Sequence, residues 1–271
     1  MPTSSRQREH ILLTPVFSSA IIMAKKKSKK PALTPAKFKT TGGHAKMKVV
    51  AKSKKMYYFR TKVKPEKVVK TATAEGPGLL EVGASSIKVG RPTLKYDFYC
   101  IYDASLEMSF LRVRKREISV HESVKGVLVG KEVFKPKKGK EVPGPAVALD
   151  TVEMFEIKQD DAMTLDGKTG GPANTMSKLL KGPGKKTASK SWVKKNKISP
   201  GKFNSLEKVV KAVTKFASQR PSDAKKVVSH VLTFKKLEGY YVPVYYVGLS
   251  AGSKKMTLKV NGVNGAVSLA V

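Results

Sequence analysis

The chain is short of acid, of cysteine and of long apolar runs, and each shortage excludes something. Asp and Glu number 20 against 54 Lys and Arg, a formal net charge of +34 at neutral pH. A compact chain with that excess repels itself unless an anionic partner neutralises it. The single cysteine, Cys100, rules out an internal disulfide and suits a reducing compartment. With no histidine-bearing motif beside it, Cys100 reads as a packed thiol rather than a nucleophile. The apolar stretch at 11–22 is too short to span a bilayer and is broken by Pro15, so no integral membrane association is expected. Its basic lead gives residues 1–22 the outline of a leader, without a small-residue cleavage site. Met23 and Ala24 followed by lysines look like an ordinary start, so 1–22 reads either as lying upstream of the true start or as a leader or loose anchor.

What is present supports a real core. Hydrophobic residues make up 40% and aromatics 7% of the 271 positions. The charge is unevenly placed. Residues 25–70 hold 17 Lys or Arg and one acid, Glu66, and residues 176–226 hold 15 against two. Residues 71–175 between them carry 15 of each sign. A charge-balanced body thus has two cation-dense flanks, and thermophile-style enrichment would have raised Glu together with Lys.

The pattern of elements is β-rich. Residues 1–45, lysines mixed with Pro31, Pro35, Gly42 and Gly43, read as a flexible basic arm. Short strands are expected at 47–51, 56–63, 67–73 and 81–89, with a turn at Gly76, Pro77 and Gly78. Tyr96, Phe98, Cys100 and Tyr102 share one strand face by period-2 counting. Further strands fall at 110–120, 127–134 and 152–157. Residues 166–202 read as a basic linker anchored by Met176, Leu179, Leu180 and Trp192. Beyond it, Asn204 to Glu207 resembles a capped helix start. Leu206, Val209, Val210, Val213, Phe216 and Ala217 then recur at helical spacing until Pro221. A meander follows, with hairpin signals at Asn261-Gly262 and Asn264-Gly265 and with Pro243 pointing to an edge strand. The expected class is α+β. An antiparallel β-rich body at 46–165, a sandwich or small barrel, leads through the linker to a small α+β domain at 203–271, a helix plus β-meander.

Catalytic patterns are weak. Gly167-Lys168-Thr169 ends like a phosphate loop, but the glycine needed five residues earlier is Ala162. His10, His44, His121 and His230 have no ligand spacing, and Asp160, Asp161 and Asp166 lack the alternation and closing Glu of a calcium loop. No enzyme, cofactor or metal is expected.

Cations in repeated patterns carry the functional expectation, a nucleic-acid partner, DNA or RNA, held through its phosphates largely without sequence preference. The candidates are Lys25, Lys26, Lys27, Lys29 and Lys30 in the arm. In the next segment Lys54, Lys55, Tyr57, Arg60, Lys62 and Lys64 interleave an aromatic with cations, as a stacking surface would. Arg112, Arg114 and Arg116 at alternate positions would place three guanidiniums on one strand face, unless nearby acids balance them. Lys185, Lys186, Trp192, Lys194 and Lys195 complete the set. The alternative is a structural assembly protein, a virion, nucleoid or ribosome-associated component, a homo-oligomer or larger nucleoprotein assembly, tethered by the same flanks. A cytoplasmic or nucleoid-associated protein is expected either way.

Overall fold

Two stretches unusually rich in β-branched and aromatic residues each form one unbroken strand. The computed structural model describes residues 33–270. In chain order the strands are Lys48–Ala51 (β1), Lys55–Phe59 (β2), Lys88–Val89 (β3), Thr93–Ser119 (β4), Val127–Val129 (β5), Glu132–Phe134 (β6), Lys137–Lys138 (β7), Pro145–Asp166 (β8), Lys185–Thr187 (β9), Lys226–Ala251 (β10), Lys254–Asn261 (β11) and Val267–Leu269 (β12). The helices are Pro65–Leu80 (α1), Ser177–Lys181 (α2), Lys190–Lys195 (α3) and Leu206–Ala217 (α4).

Strand β10 is the spine. Along one edge it pairs antiparallel with β4, from Lys226 opposite Leu111 to Pro243 opposite Tyr96, and then with β3. Along the other edge it takes β1 and β2, both parallel, and then β11, antiparallel. Strand β8 pairs with the far edge of β4 in unbroken register from Tyr99–Asp166 to Ser119–Ala146. The result is one open, mixed ten-stranded sheet. The β-rich α+β class stands, while the sandwich, the small barrel and the purely antiparallel order do not describe it. Residues 46–165 and 203–271 do not form separate sheets. β4 and β10 are neighbours within one unit that runs from Phe38 to Val271.

Both faces of the sheet are covered where β4, β10 and β2 meet, so neither central strand shows a solvent face there. Phe98, Cys100, Tyr102 and Ala104 join Leu232, Phe234, Leu237 and Tyr241 beneath Leu206, Val209 and Ala217 of α4. Tyr99 and Ile101, pointing the other way, pack with Tyr240, Val242, Phe59 and Leu180 of α2. The expected Tyr96–Tyr102 face is thus present, with a second buried face behind it. α1 closes the far end over Tyr245, Val247, Leu249 and Leu258.

Four local expectations are corrected. Residues 67–73 are helical, because Pro65 starts α1 and Val68, Ala72, Gly76 and Leu80 form its buried stripe. The glycine–proline–glycine run lies inside that helix; the small face lets Gly76 approach Ile87, and the helix ends at Glu81 in a left-handed conformation (φ 53°). The supposed linker holds α2, β9 and α3. Residues 39–45 are not a free arm: Lys226 Nζ donates to the Lys39 and Thr41 carbonyls, and Ala45 N–H donates to Val227 O.

Pro243, expected at an edge, lies inside β10. Tyr96 opposite it directs its own N–H and C=O to Lys197 and Ser199, so the Pro243 nitrogen faces the other edge. That edge is the junction where β2 ends at Tyr241 and β11 begins at Val244, and no ladder bond is lost there.

Gly167 shows why the loop after β8 carries glycine. A Cβ there would stand 2.4 Å from Phe98 O and 2.5 Å from Phe203 O. Its N–H donates to Phe98 O and its carbonyl accepts from Phe203 N–H, so two backbones cross at this point. Gly167→Ala is expected to lower unfolding stability by about 2 kcal/mol in urea titration, whereas Gly171→Ala, with room at 3.6 Å, should cost much less.

Candidate nucleic-acid interface

The two cation-dense flanks meet at the short β2–β9 ladder. β9 pairs antiparallel with β2, placing Lys186 opposite Tyr58 and Lys185 opposite Phe59, and Ala188 N–H donates to Met56 O. Strand β2 is held in turn by β10, with Lys55 opposite Glu238 and Tyr57 opposite Tyr240. Alternation then sorts its side chains. Met56 and Tyr58 turn toward the α4 core, while Tyr57 and Phe59 turn toward α2.

The aromatics of this segment are therefore structural and give no free stacking surface. Tyr57 lies 5.4 Å from the Tyr240 ring, and Lys185 Nζ sits 5.1 Å and 5.5 Å from the two ring centroids. Trp192, expected to stack on a base, instead stacks on Tyr58 at 4.3 Å and meets Tyr96 edge-on at 4.8 Å. Its helix is fixed by Ser189, whose Oγ accepts from Trp192 N–H, and by Asn196, whose Nδ2 donates to Trp192 O. Docking Trp192 into this aromatic cluster is what anchors the 190–195 segment to the sheet.

The lysines stay outside. Lys54, Lys55, Lys186, Lys190, Lys194 and Lys195 are exposed, as are Lys208, Lys211 and Lys215 on the outer side of α4. None of them makes an ion pair within 4 Å among the described residues. The start of α4 ties these pieces together. Ser205 caps it by accepting from Lys208 N–H. The Glu207 carboxyl is held below the usual glutamate range first by its own backbone N–H, with Ser205 and the Lys54 and Lys190 ammoniums adding to the effect. One acid thus serves cations drawn from two remote segments. Lys185 differs, being half-buried against Tyr57 and Tyr240.

Other expected residues lie elsewhere. Arg60, Lys62 and Lys64 are exposed on the chain between β2 and α1, where Lys62 N–H and Val63 N–H donate to Gly262 O. Lys25, Lys26, Lys27, Lys29 and Lys30, like residues 1–22, fall outside the described residues. Arg112, Arg114 and Arg116 do share one side of β4, but they are not three free guanidiniums. Arg112 Nε and Arg116 donate to the two Glu153 oxygens, Arg112 Nη1 donates to Asp223, and Arg114 Nη2 stands 3.7 Å from the same Asp223 carboxylate. Arg112 also lies 3.6 Å over the Phe155 ring. The acids that neutralise the stripe come from β8 and from the loop before β10, which no count along β4 reveals.

A polar centre that no local pattern announces lies at the junction of β4, β10 and β11. Asp97, 3% exposed, accepts from Tyr246 Oη at 2.6 Å and meets Lys259 Nζ at 2.7 Å. Ser199 Oγ donates to Tyr246 Oη at 3.1 Å. Burial first, then Asp97, pushes the Tyr246 hydroxyl well above its ordinary value, so it remains a donor. Burial likewise pushes the Cys100 thiol up to about 12, with Glu238 adding, which removes its nucleophilic form at neutral pH. Histidines also have backbone partners: His44 Nδ1 accepts from Val227 N–H, and His230 Nε2 lies 2.8 Å from Ala217 O.

The arginine pairing has a pH signature. Glu153 is held below the ordinary glutamate range by the hydrogen bond from Arg116 and then by that from Arg112. A carboxylate depressed on folding contributes stability above its unfolded pKa and loses it as pH falls through the folded one. Between neutral pH and about pH 3, the native chain should therefore lose more stability than Glu153→Gln, read as urea midpoints; equal losses would remove the pairing from the account. Compared with known protein families, curated proteins and solved structures, the chain matches none.

Proposed function

We propose that this protein binds nucleic-acid backbones through the exposed lysines of the β1–β2 turn, β9, α3 and α4. The observation that carries the reading is the β2–β9 ladder, which brings the segment carrying Lys54 alongside the one carrying Lys186 and Lys190 although some 130 residues separate them in sequence. Several exposed ammonium groups on adjoining segments, two of them with Glu207 as a nearby acid, suit a partner that presents regularly spaced phosphates. The aromatic residues are occupied in packing, so backbone contact without base stacking is the reading, and sequence preference is expected to be small. The arginine stripe of β4 is left out of the interface because each of its guanidiniums already faces Glu153 or Asp223. Lys25 to Lys30 would add cations to the same partner.

The test is a salt-dependent titration of labelled duplex DNA and single-stranded RNA. Log affinity should fall by about 0.9 per neutralised phosphate for each decade of salt on the duplex. The variant Lys186→Glu, Lys190→Glu, Lys194→Glu, Lys195→Glu should weaken binding about tenfold or more and flatten that slope. Arg112→Ala with Arg116→Ala should leave affinity unchanged. Salt-independent binding, or none at low ionic strength, contradicts the reading.

One observation favours assembly as a second reading. Among the described residues no strand is paired with the outer edge of β8 from Val147 to Met163. A long open edge is a template for another strand, and light scattering during the same titration would report association.

A further inference from the structure

β4 and β8 stay paired for eight positions beyond the start of β10, from Arg112 opposite Glu153 to Ser119 opposite Ala146. At about 3.3 Å per residue this makes a two-stranded arm roughly 26 Å long. Beside its outer part β5 and β6 form a separate two-stranded sheet, in which Leu128 lies directly opposite Val133. These two side chains are 68% and 69% exposed, the most exposed large hydrophobic side chains of the unit from Phe38 onward. Ile118, Val113 and Val129 on the same arm are also exposed.

The same tip is cationic. Residues 125–140 hold Lys125, Lys131, Lys135, Lys137, Lys138 and Lys140 against one acid, Glu132. None of these lysines makes an ion pair within 4 Å among the described residues. The neutral total of the central segment conceals this, because its acids lie mostly in the β4 and β8 ladder.

An exposed aliphatic pair on an isolated hairpin is unfavourable in water unless something covers it. A partner that satisfies this tip must offer hydrocarbon and anions in the same place. We infer that the tip docks on an anionic lipid surface, with Leu128 and Val133 entering the acyl boundary and the lysines reaching the headgroups. Lysine suits this role because its long apolar stem can lie in the interface while the ammonium stays in water. Nucleic acid fits the tip less well. A phosphate backbone would engage the lysines but leave Leu128 and Val133, 68% and 69% exposed, in water. Attachment would be peripheral, since no helix among the described residues is long and apolar enough to cross a membrane. The inference uses residues outside the proposed nucleic-acid interface and does not depend on it.

The experiment is co-sedimentation of the full chain with phosphatidylcholine vesicles, with and without about a quarter phosphatidylserine. It compares the native protein with L128S/V133S, a variant that keeps every charge and alters only exposed positions. The native protein should sediment with the anionic vesicles alone, and L128S/V133S should bind them at least about tenfold more weakly. Thermal melting and affinity for duplex DNA should be unchanged in that variant. In a second measurement, Leu128→Trp should be quenched by brominated anionic lipids beyond the native chain, whose Trp192 is packed against Tyr58 and Tyr96. Equal vesicle binding by the native chain and L128S/V133S would show that net charge alone is responsible and would overturn the inference. So would a native protein that ignores anionic vesicles, or a variant that loses DNA affinity instead. Failure of the nucleic-acid reading appears separately, as absent DNA binding by the native chain.

Discussion

The structure depends on the burial of one strand. β10 takes five partner strands along its two edges, from both ends of the chain. Tyr240, Tyr241, Val242 and Val244 at its centre are each at most 4% exposed. Covering several large side chains on both faces contributes roughly 1.5–3 kcal/mol for each, which the short basic segments could not supply by themselves. β1, β2 and β9 are three to five residues long; β2 directs four side chains at a core, while β1 and β9 each have a single half-buried residue. They are ordered because β10 and the aromatic cluster around Trp192 give them somewhere to dock.

That arrangement also separates charge. Long antiparallel strands bring side chains into register, and the acids of β4 and β8 find cations there. Glu153 meets Arg112 and Arg116, Glu107 meets Lys158, and Asp160 meets Lys235. The lysines that remain unmatched include those on the docked segments and at the tip of the arm. A chain that repels itself as a whole thus gathers unmatched cations in two places, with different apolar surroundings. At the sheet the aromatics are turned inward, and at the tip the aliphatics stand exposed. The proposed partners differ for that reason.

Much of the fold was legible in the residues, and the misses have physical causes. The Tyr96 to Tyr102 face, α4 with its 3.6-residue stripe, and the hairpin turns near Asn261 and Asn264 follow from period and turn chemistry. The extent of β4 and β10 does not. Ser, Glu and Asp within them look like breaks, and only a ladder of neighbours, 27 to 67 positions away between β4 and β8 and 115 to 147 between β4 and β10, sustains the strands. α1 was hidden because valine and threonine favour strands locally, and the buried Val68, Ala72, Gly76 and Leu80 stripe decides otherwise. For the candidate site, the lysine-rich segments were visible. Trp192's packing and the neutralisation of Arg112, Arg114 and Arg116 were not, since Tyr58, Glu153 and Asp223 all lie far off in sequence. The Asp97, Tyr246 and Lys259 centre had no local signal at all.

The central claim is that β10 gathers remote basic segments into one folded surface. Hydrogen exchange of the free protein, resolved by segment, tests it most directly. The account predicts the slowest exchange across 237–247, with clear protection at 56–59 and at 185–195. Residues 185–195 exchanging as fast as an unstructured chain, while 237–247 stays protected, would mean that the two basic flanks are not joined, and would contradict the account.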